Sequence, residues 1–292
     1  MKPAPFTYIA ARTVDEAVRL LAADPDAKVL AGGQSLLPLL NLRLARCEAL
    51  VDIGRITELT DVRAEADVLR LGALVRHTRL EHDPGIRAAH ALLAHAASHI
   101  GHRAIRNHGT IGGSIAHADP AAELPATLLA LRGSVIAVST SGSREIHADQ
   151  LFVNHFQTSL ADDELLTQVQ IPVARSTQSW GFYEYAARSG DFAQAGAIVT
   201  IDQTEAVPAV AITWFATSST PTRVMLDEVA PVDRSATAGV VDPALQKALT
   251  AAYDRSGSDP AKRTLAVTVA TRALQRAAHA GLAGSRQAVG PS

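Results

Sequence analysis

Two loops with paired glycines, Gly32-Gly33 and Gly112-Gly113, place the strongest constraint on what this chain folds into. The first follows the apolar pair Val29-Leu30, and the second belongs to the polar segment Arg106–Ser114. Glycine lets a backbone adopt positive φ and approach a ligand closely, and N–H groups in such turns form concave nests that suit a phosphate. Two such loops match the two phosphates of one pyrophosphate, which favours a dinucleotide over a mononucleotide held by one loop.

The loops do not carry the glycine fingerprint of the nucleotide-binding βαβ unit of dehydrogenases. That fingerprint is G-x-G-x-x-G after a strand, with an acidic residue about 20 positions further on, and Gly32-Gly33 has no third glycine at the required place. The G-x-S-x-G pattern of a hydrolase nucleophile is also missing from the sequence. The glycine loops therefore predict a different dinucleotide-binding fold, and hydrolase chemistry has no positive support.

Composition excludes several classes of partner. The formal net charge of −2 gives no support for nucleic acid or an anionic membrane, and an aromatic content of 4% is too low for a base-stacking platform. No apolar stretch has the length of a transmembrane helix, and the segment from Met1 to Phe6 does not read as a secretory signal. We therefore expect a cytoplasmic protein without a membrane span.

The length of 292 residues predicts two domains, and hydrophobic periodicity predicts an α+β protein. A β-α-β pattern covers about the first 55 residues, with a helix N-capped by Thr13 and another over Leu36–Leu44. A longer helix is expected over Ile86–Ile100, and three antiparallel strands are expected near 180–187, 195–202 and 209–217. We place the first domain at 1–175, with lobes of about 1–55 and 56–175, the second at 178–284, and a tail at 285–292.

Cysteine and histidine give weak signals for metal or thiol chemistry. The single cysteine, Cys47, excludes an intrachain disulfide and a cluster held by four thiolates, and its apolar surroundings favour a buried small side chain. The histidines cluster in one region, at His90, His95, His99, His102, His108 and His117. They lack both the His-Glu-x-x-His pattern and an acidic ligand. We therefore favour partly exposed histidines on helices, together with some that line a flavin pocket, over a structural metal site, and no metal site is expected.

Five sequence segments, taken in their order, resemble the FAD-binding medium subunit of the molybdenum hydroxylases, the group that includes xanthine dehydrogenase and aerobic carbon monoxide dehydrogenase. The segments are AGGQSLLP at 31–38, LVDIGRI at 50–56, IRNHGTIGGSIAHADPAAELP at 105–125, SGDFA at 189–193 and TPTR at 220–223. The resemblance runs through most of the chain. It implies a two-lobed FAD-binding domain of the vanillyl-alcohol-oxidase/PCMH type, followed by a smaller C-terminal domain with a three-stranded antiparallel sheet and helices.

The resemblance also implies which residues contact FAD. The two loops would wrap the pyrophosphate, an acidic residue would bond the ribose or adenine side, and three apolar residues would line the flavin or adenine regions. The implied cofactor-binding residues are Leu30, Ala31, Gly32, Gly33, Gln34, Ser35, Leu36, Ile100, Thr110, Ile111, Gly112, Gly113, Ser114, Glu123, Leu166 and Phe192.

Several of these residues have a purely structural alternative. Glu123 also suits the N-terminus of a helix, where a carboxylate interacts well with the helix dipole. Ile100, Leu166 and Phe192 are equally typical of a hydrophobic core. The sequence departs from the family at Ala186, where some relatives carry a lysine that reaches the flavin, so a lysine–flavin contact is in doubt here.

The function implied by the resemblance is electron transfer within a larger enzyme of the xanthine dehydrogenase family. Non-covalent FAD would take electrons from [2Fe–2S] clusters on a small partner subunit and release them to an external acceptor. A large subunit would hold the molybdopterin cofactor, the assembly would be a dimer of heterotrimers, and this chain would supply no catalytic residue. Two alternatives remain: a self-sufficient flavin-dependent oxidase or dehydrogenase of a small organic substrate, and a structural partner without flavin.

Overall fold

The computed structural model describes residues 2–205, 207–226 and 243–287, with side chains as far as residue 280. The described strands are β1 (Thr7–Ala10), β2 (Lys28–Leu30), β3 (Ala49–Asp52), β4 (Val62–Ala64), β5 (Val68–Gly72), β6 (Ser134–Ser139), β7 (Gly142–His147), β8 (Phe152–Asn154), β9 (Gln157–Thr158), β10 (Leu165–Pro172), β11 (Gln178–Tyr185), β12 (Ala195–Asp202), β13 (Ala209–Phe215) and β14 (Thr222–Met225). The described helices are α1 (Val14–Ala23), α2 (Leu36–Asn41), α3 (His77–His82), α4 (Pro84–Ala89), α5 (Ala91–His99), α6 (Arg103–His108), α7 (Ile111–His117), α8 (Glu123–Ala130), α9 (Ala148–Leu151), α10 (Pro243–Arg255) and α11 (Arg263–Gln287).

The chain forms two compact units, and one helix crosses between them in sequence. The first unit contains residues 1–119 and 132–173, and the second contains 120–131 together with the described residues from 174 onward. The segment 120–131, which the sequence placed in the first domain, thus belongs with the second unit. No helix in the described ranges has both the length and the apolar character needed to cross a bilayer.

The first sheet of the first unit is parallel, with strand order β1-β3-β2. Parallel neighbours need crossover connections, which α1 and α2 supply. The Thr13 hydroxyl accepts a hydrogen bond from the Glu16 N–H and caps α1 as predicted, and the buried face of this helix packs on the sheet through Val18 and Leu21. Because the carboxyl ends of parallel strands share one edge, β2 delivers the first glycine loop to that edge.

The second sheet of the first unit is antiparallel, with strand order β4-β5-β10-β6-β7. Its central strand β10 pairs with β5 on one side and with β6 on the other. Leu74 and Leu165 join the same hydrophobic cluster as α1 and the parallel sheet, so one core serves both sheets. Helices α3 to α7 follow β5 in the sequence, and the segment with the second glycine pair spans α6 and the start of α7.

The second unit is a four-stranded antiparallel sheet, β11-β12-β13-β14, with α11 packed on it. Gly181 lies so close to α11 that a β-carbon there would overlap with the helix backbone at Ala273. Trp214 of β13 is buried in the core of this unit. Its indole N–H donates to the Ala266 carbonyl at 3.1 Å, and its ring packs edge-on against the Tyr253 ring with centroids 5.4 Å apart.

Three details differ from the sequence prediction. The sheet of the second unit has four strands instead of three, because β14 pairs with β13 over Thr222–Met225. The helix expected over residues 86–100 is two helices, since His90 adopts an extended backbone with φ −158° between them. Helix α2 ends at Asn41 instead of Leu44, because Arg43 has φ +60° and turns the chain. The tail was expected at 285–292; its first three residues continue α11, which ends at Gln287, and its remainder from 288 onward lies outside the described residues.

Candidate functional site

The first glycine loop follows β2, and within the described part of the chain the backbone N–H groups of this loop are unengaged. Gly33 has φ +70°, a left-handed conformation that reverses the chain and favours glycine. Among the described residues, the N–H groups of 32–35 donate to no protein acceptor, while the Gly33 carbonyl accepts from Leu37 as α2 begins. Consecutive unengaged N–H groups in a turn of this kind form a concave donor site that suits an anion.

The second loop differs from the sequence prediction, because Gly112 and Gly113 lie in the first turn of helix α7, and the N–H groups of both already have partners. The Thr110 side chain caps α7 by accepting from the Gly113 N–H at 3.1 Å, and the Gly112 N–H donates to the Ala73 carbonyl at 2.9 Å. Gly112 packs on Ala73, whose β-carbon would lie 2.5 Å from a β-carbon at position 112. Close packing on Ala73, the residue that follows β5, therefore requires glycine at position 112, and the predicted phosphate contact of Gly112 stays a prediction.

The two loops lie against each other within the first unit. A β-carbon on Gly32 would overlap with the His108 carbonyl oxygen and lie 2.9 Å from the α-carbon of Gly109. A β-carbon on Gly113 would lie 3.6 Å from the Ala31 side chain. The structure thus brings together the two predicted halves of the site, with no side chain between their backbones at this contact.

Helix α3 supports the second loop from behind. Arg76 donates from its guanidinium to the His108 carbonyl, and the His77 N–H donates to the Gly109 carbonyl at 3.0 Å. The His77 ring is 5% exposed, and neither ring nitrogen has a hydrogen-bond partner. Burial lowers the pKa of His77 to about 4, with the Thr110 backbone nearby opposing this shift, so the ring is neutral near pH 7.

A carboxylate lies at the same sheet edge as the first loop. Asp52 ends β3 beside Leu30 of β2. Its side chain accepts from the Tyr8 hydroxyl at 2.5 Å and from the Gly54 N–H at 2.7 Å. The hydrogen bond to Asp52 raises the pKa of Tyr8. Both carboxylate oxygens are thus engaged by donors, which disperses a negative charge close to a predicted phosphate site.

The remaining predicted residues are distributed over both units. In the first, Leu166 is 5% exposed on β10 opposite Ala137, and Ile100 is half-buried at the end of α5. In the second, Glu123 is the buried first residue of α8, and Phe192 is 68% exposed in the turn between β11 and β12. Phe192 is therefore not a core residue, which removes the structural alternative for its position.

The described histidines and the cysteine lie in packing contacts. Among the described residues, no group of three or more His, Cys, Asp and Glu side chains is placed to hold a metal ion, and the expectation of no metal site stays a prediction. His95 and His99 stack edge-on on α5 at 4.6 Å, and His117 packs against Phe156 with ring centroids 5.0 Å apart. Cys47 is 8% exposed in a cluster with Leu40 and Leu50.

Sequence reasoning missed the residues that hold the second loop in place. These residues lie around the start of the loop and come from the N-cap of α3, from α3 itself and from α6: Arg76, His77, Glu81 and Arg106. The one available signal was the proximity of Arg106 to Gly109 in the sequence. Its low exposure and its acidic partner depend on how α3 and α6 pack, which a linear pattern does not show.

Comparison with known proteins identifies the family that this fold and these loops represent. Residues 4–174 match the family model described as the FAD binding domain in molybdopterin dehydrogenase. The chain belongs to this family, whose cofactor is FAD. The unengaged N–H groups of the first loop fit the anionic pyrophosphate of that cofactor.

Curated relatives and solved structures agree with this assignment. The chain is 44% identical to subunit alpha of the 6-hydroxypseudooxynicotine dehydrogenase complex of Paenarthrobacter nicotinovorans, over 76% of each chain. It is 38% identical to the carbon monoxide dehydrogenase medium chain of Hydrogenophaga pseudoflava, over 69% of this chain and 70% of the relative. A solved structure of carbon monoxide dehydrogenase from Hydrogenophaga pseudoflava superposes with a TM-score of 0.84 at 32% identity, covering 95% of this chain and 98% of the other. The relatives are thus subunits of oxidoreductase complexes.

Proposed function

We propose that this chain is the FAD-carrying electron-transfer subunit of a molybdenum-containing hydroxylase or dehydrogenase. FAD, when bound, supplies the one- and two-electron chemistry that links iron–sulfur clusters to an external acceptor. The task of the protein is to hold the flavin in a fixed place and to shield it from unwanted reactions. No general acid or base of this chain is required for that task.

The contact between the two glycine loops carries this proposal. The first loop offers free N–H groups to an anion, and the second closes against it through His108 and Gly109. We propose that the pyrophosphate binds along this contact, with the first loop donating most of the hydrogen bonds. The sixteen residues from Leu30 to Phe192 named from the family resemblance remain the proposed cofactor contacts, among which the exposed ring of Phe192 is suited to cover a flavin face.

The arrangement of sheets supports a two-lobed FAD-binding fold of the vanillyl-alcohol-oxidase type. A parallel sheet lies within residues 7–52 and an antiparallel sheet within 62–172, in line with proposed lobes of 1–55 and 56–175. A C-terminal domain of about 178–284 completes the proposed organisation. Residues 120–131 are the exception, because they belong with the second compact unit.

The proposed partners follow from the cysteine count and from the relatives. One cysteine excludes a cluster with four thiolate ligands in this sequence, so electrons must arrive from another chain. We propose a cytoplasmic complex with a small [2Fe–2S] subunit and a large molybdopterin subunit, in two copies each. Relatives named as medium chains or complex subunits support such an assembly.

Flavin analysis and anaerobic reduction test the proposal. Acid precipitation of the purified chain should release one FAD per chain, with none retained on the denatured protein. Substrate should reduce this flavin in the co-expressed complex and leave it oxidised in the isolated chain. Turnover by the isolated chain would instead establish a self-sufficient flavin enzyme, and a colourless preparation that binds no added FAD would establish a structural subunit without flavin.

A further inference from the structure

A partly buried ion pair joins α3 to α6, and neither of its two residues is among the cofactor contacts proposed above. Arg106 donates from Nε to the Glu81 carboxylate at 2.8 Å, and the two side chains are 14% and 16% exposed. The Arg106 Nη1 also donates to the Ile100 and Gly101 carbonyls, at 3.1 and 3.0 Å. One guanidinium thus joins α3, the turn after α5 and the middle of α6.

The position of α6 determines where the second loop begins. This helix ends at His108, whose carbonyl accepts from Arg76 and lies against Gly32 of the first loop. The next residue, Gly109, starts the second loop and donates its N–H to the Ile105 carbonyl at 2.7 Å. A rotation of α6 therefore moves the His108 carbonyl relative to Gly32 and changes the gap between the loops.

We propose that Arg106 is a positioning residue for FAD: by fixing α6 to Glu81 and to the 100–101 turn, it sets the spacing between the two glycine loops. The inference rests on the two-loop FAD site proposed above. A planar guanidinium with donors in a fixed fork suits this role, since it serves a carboxylate and two carbonyls at once. Lysine at this position would keep the charge without reproducing the fork.

The test compares two arginine–glutamate pairs of the same unit. Arg144 donates to both oxygens of Glu164, at 2.6 and 2.8 Å, and to the Ser159 carbonyl at 2.8 Å. Arg144→Ala therefore removes a comparable set of hydrogen bonds, and none of these residues takes part in the contacts of the glycine loops. FAD affinity is measured by fluorescence titration of the full-length apoprotein, and urea unfolding gives the stability of each variant. Visible circular dichroism of the bound flavin reports on its surroundings.

Arg106→Ala should raise the Kd for FAD about 10- to 100-fold, in line with the loss of hydrogen bonds to charged groups, and should alter the flavin dichroism. Arg106→Lys should give an intermediate Kd, and Arg144→Ala should leave both readouts unchanged. Ethylguanidinium added to Arg106→Ala should recover part of the affinity. Equal Kd shifts in Arg106→Ala and Arg144→Ala, or a wild-type Kd in Arg106→Ala, would overturn the proposal.

Two further variants allow the proposal to be tested even if Arg106→Ala does not fold, and distinguish its failure from a failure of the two-loop site. Should Arg106→Ala not fold, Glu81→Gln keeps the shape of the pair and removes its charge, and a wild-type Kd in folded Glu81→Gln and Arg106→Lys would refute the positioning role. Gly33→Val tests the underlying site, because valine at φ +70° is strained and distorts the first loop. If Gly33→Val and Arg106→Ala both keep wild-type affinity, the two-loop site itself is wrong, whereas an effect of Gly33→Val alone refutes only the role of Arg106.

Discussion

The carbonyl oxygen of His108 lies directly against the α-carbon of Gly32, within the space that a β-carbon of residue 32 would occupy. This contact joins two segments that are far apart in the sequence and brings both glycine loops into one site. Because the contact involves backbone on both sides, no change of side-chain rotamer can remove the steric overlap that a β-carbon at position 32 would create. The spacing of the loops is thus sensitive to a single methyl group.

Gly32→Ala should therefore weaken FAD binding. The new methyl group forces the His108 carbonyl away from the first loop, and we expect the Kd for FAD to rise at least about tenfold, the equivalent of roughly 1.4 kcal/mol. Flavin fluorescence titration of the apoprotein measures this. Gly85→Ala is the control, since its β-carbon would meet only the Asp83 side chain, at 3.2 Å, and an unchanged Kd in Gly32→Ala would contradict the loop contact.

Substitutions of the two adjacent glycines of the second loop should have different effects, one mainly on stability and the other mainly on flavin binding. Gly112→Ala places a methyl group 2.5 Å from the Ala73 β-carbon, and overpacking of this kind destabilises by about 1–3 kcal/mol. Gly113→Ala faces the Thr110 hydroxyl at 2.8 Å and the Ala31 side chain at 3.6 Å, so its main effect should be on FAD affinity. Urea unfolding of the apoprotein and FAD titration measure the two effects, and the reverse assignment would refute this division.

Acid should destabilise the chain through two buried histidines. Burial lowers the pKa of both His77 and His90 from 6.5 to about 4. Between these pH values the unfolded chain binds protons that the folded chain does not, so the free energy of unfolding falls as pH drops from about 6.5 to about 4. At 1.36 kcal/mol per pKa unit, each histidine accounts for on the order of 3 kcal/mol.

Replacement of His90 tests this pH dependence. His90→Leu removes one of the two titrating groups and leaves the backbone bonds of the α4–α5 junction in place, so the loss of stability between pH 6.5 and 4 should become clearly smaller. Urea unfolding at half-unit pH steps measures the slope. Leu92→Met, a volume-conserving change in α5 just after His90, should keep the wild-type slope, and an identical slope in His90→Leu would show that His90 does not contribute.

The second unit should depend strongly on the absence of a side chain at Gly181. A β-carbon there would overlap with the Ala273 carbonyl and lie 2.6 Å from the Ala277 nitrogen, so Gly181→Ala must push α11 away from β11. We expect a loss of about 3 kcal/mol or more in the free energy of unfolding, together with a weaker near-ultraviolet dichroism from buried Trp214. Retention of the wild-type melting curve would show that α11 adjusts without cost.

Periodicity and capping predicted the regular parts of the fold because those signals are local. An N-cap hydroxyl, as at Thr13, is visible within a few residues of sequence. The apolar spacing of the strand before the first loop, and of β11, β12 and β13 in the second unit, is visible in an equally short window. The break at His90 was missed, since nothing in the residues around it interrupts the apolar pattern. Strand β14 was missed because four residues are too few for an alternating pattern to be distinctive.

The site was only partly predictable for a related reason. Paired glycines indicated both loops, yet they did not reveal that Gly112 serves packing on Ala73 or that Gly32 serves contact with His108. Those reasons depend on which segments meet in three dimensions. The support of the second loop by Arg106 and Glu81 was invisible in the same way, because the partners are 25 positions apart.

The burial of Cys47 has a practical consequence for mapping the complex. It is the one thiol in the sequence, and only 8% of the residue is exposed. A cysteine introduced at a surface position would consequently be the most reactive group toward maleimide or disulfide probes under native conditions. The sequence is therefore already suited to site-directed labelling of this chain, without prior removal of background thiols, and the footprint of each proposed partner subunit can be tested one position at a time.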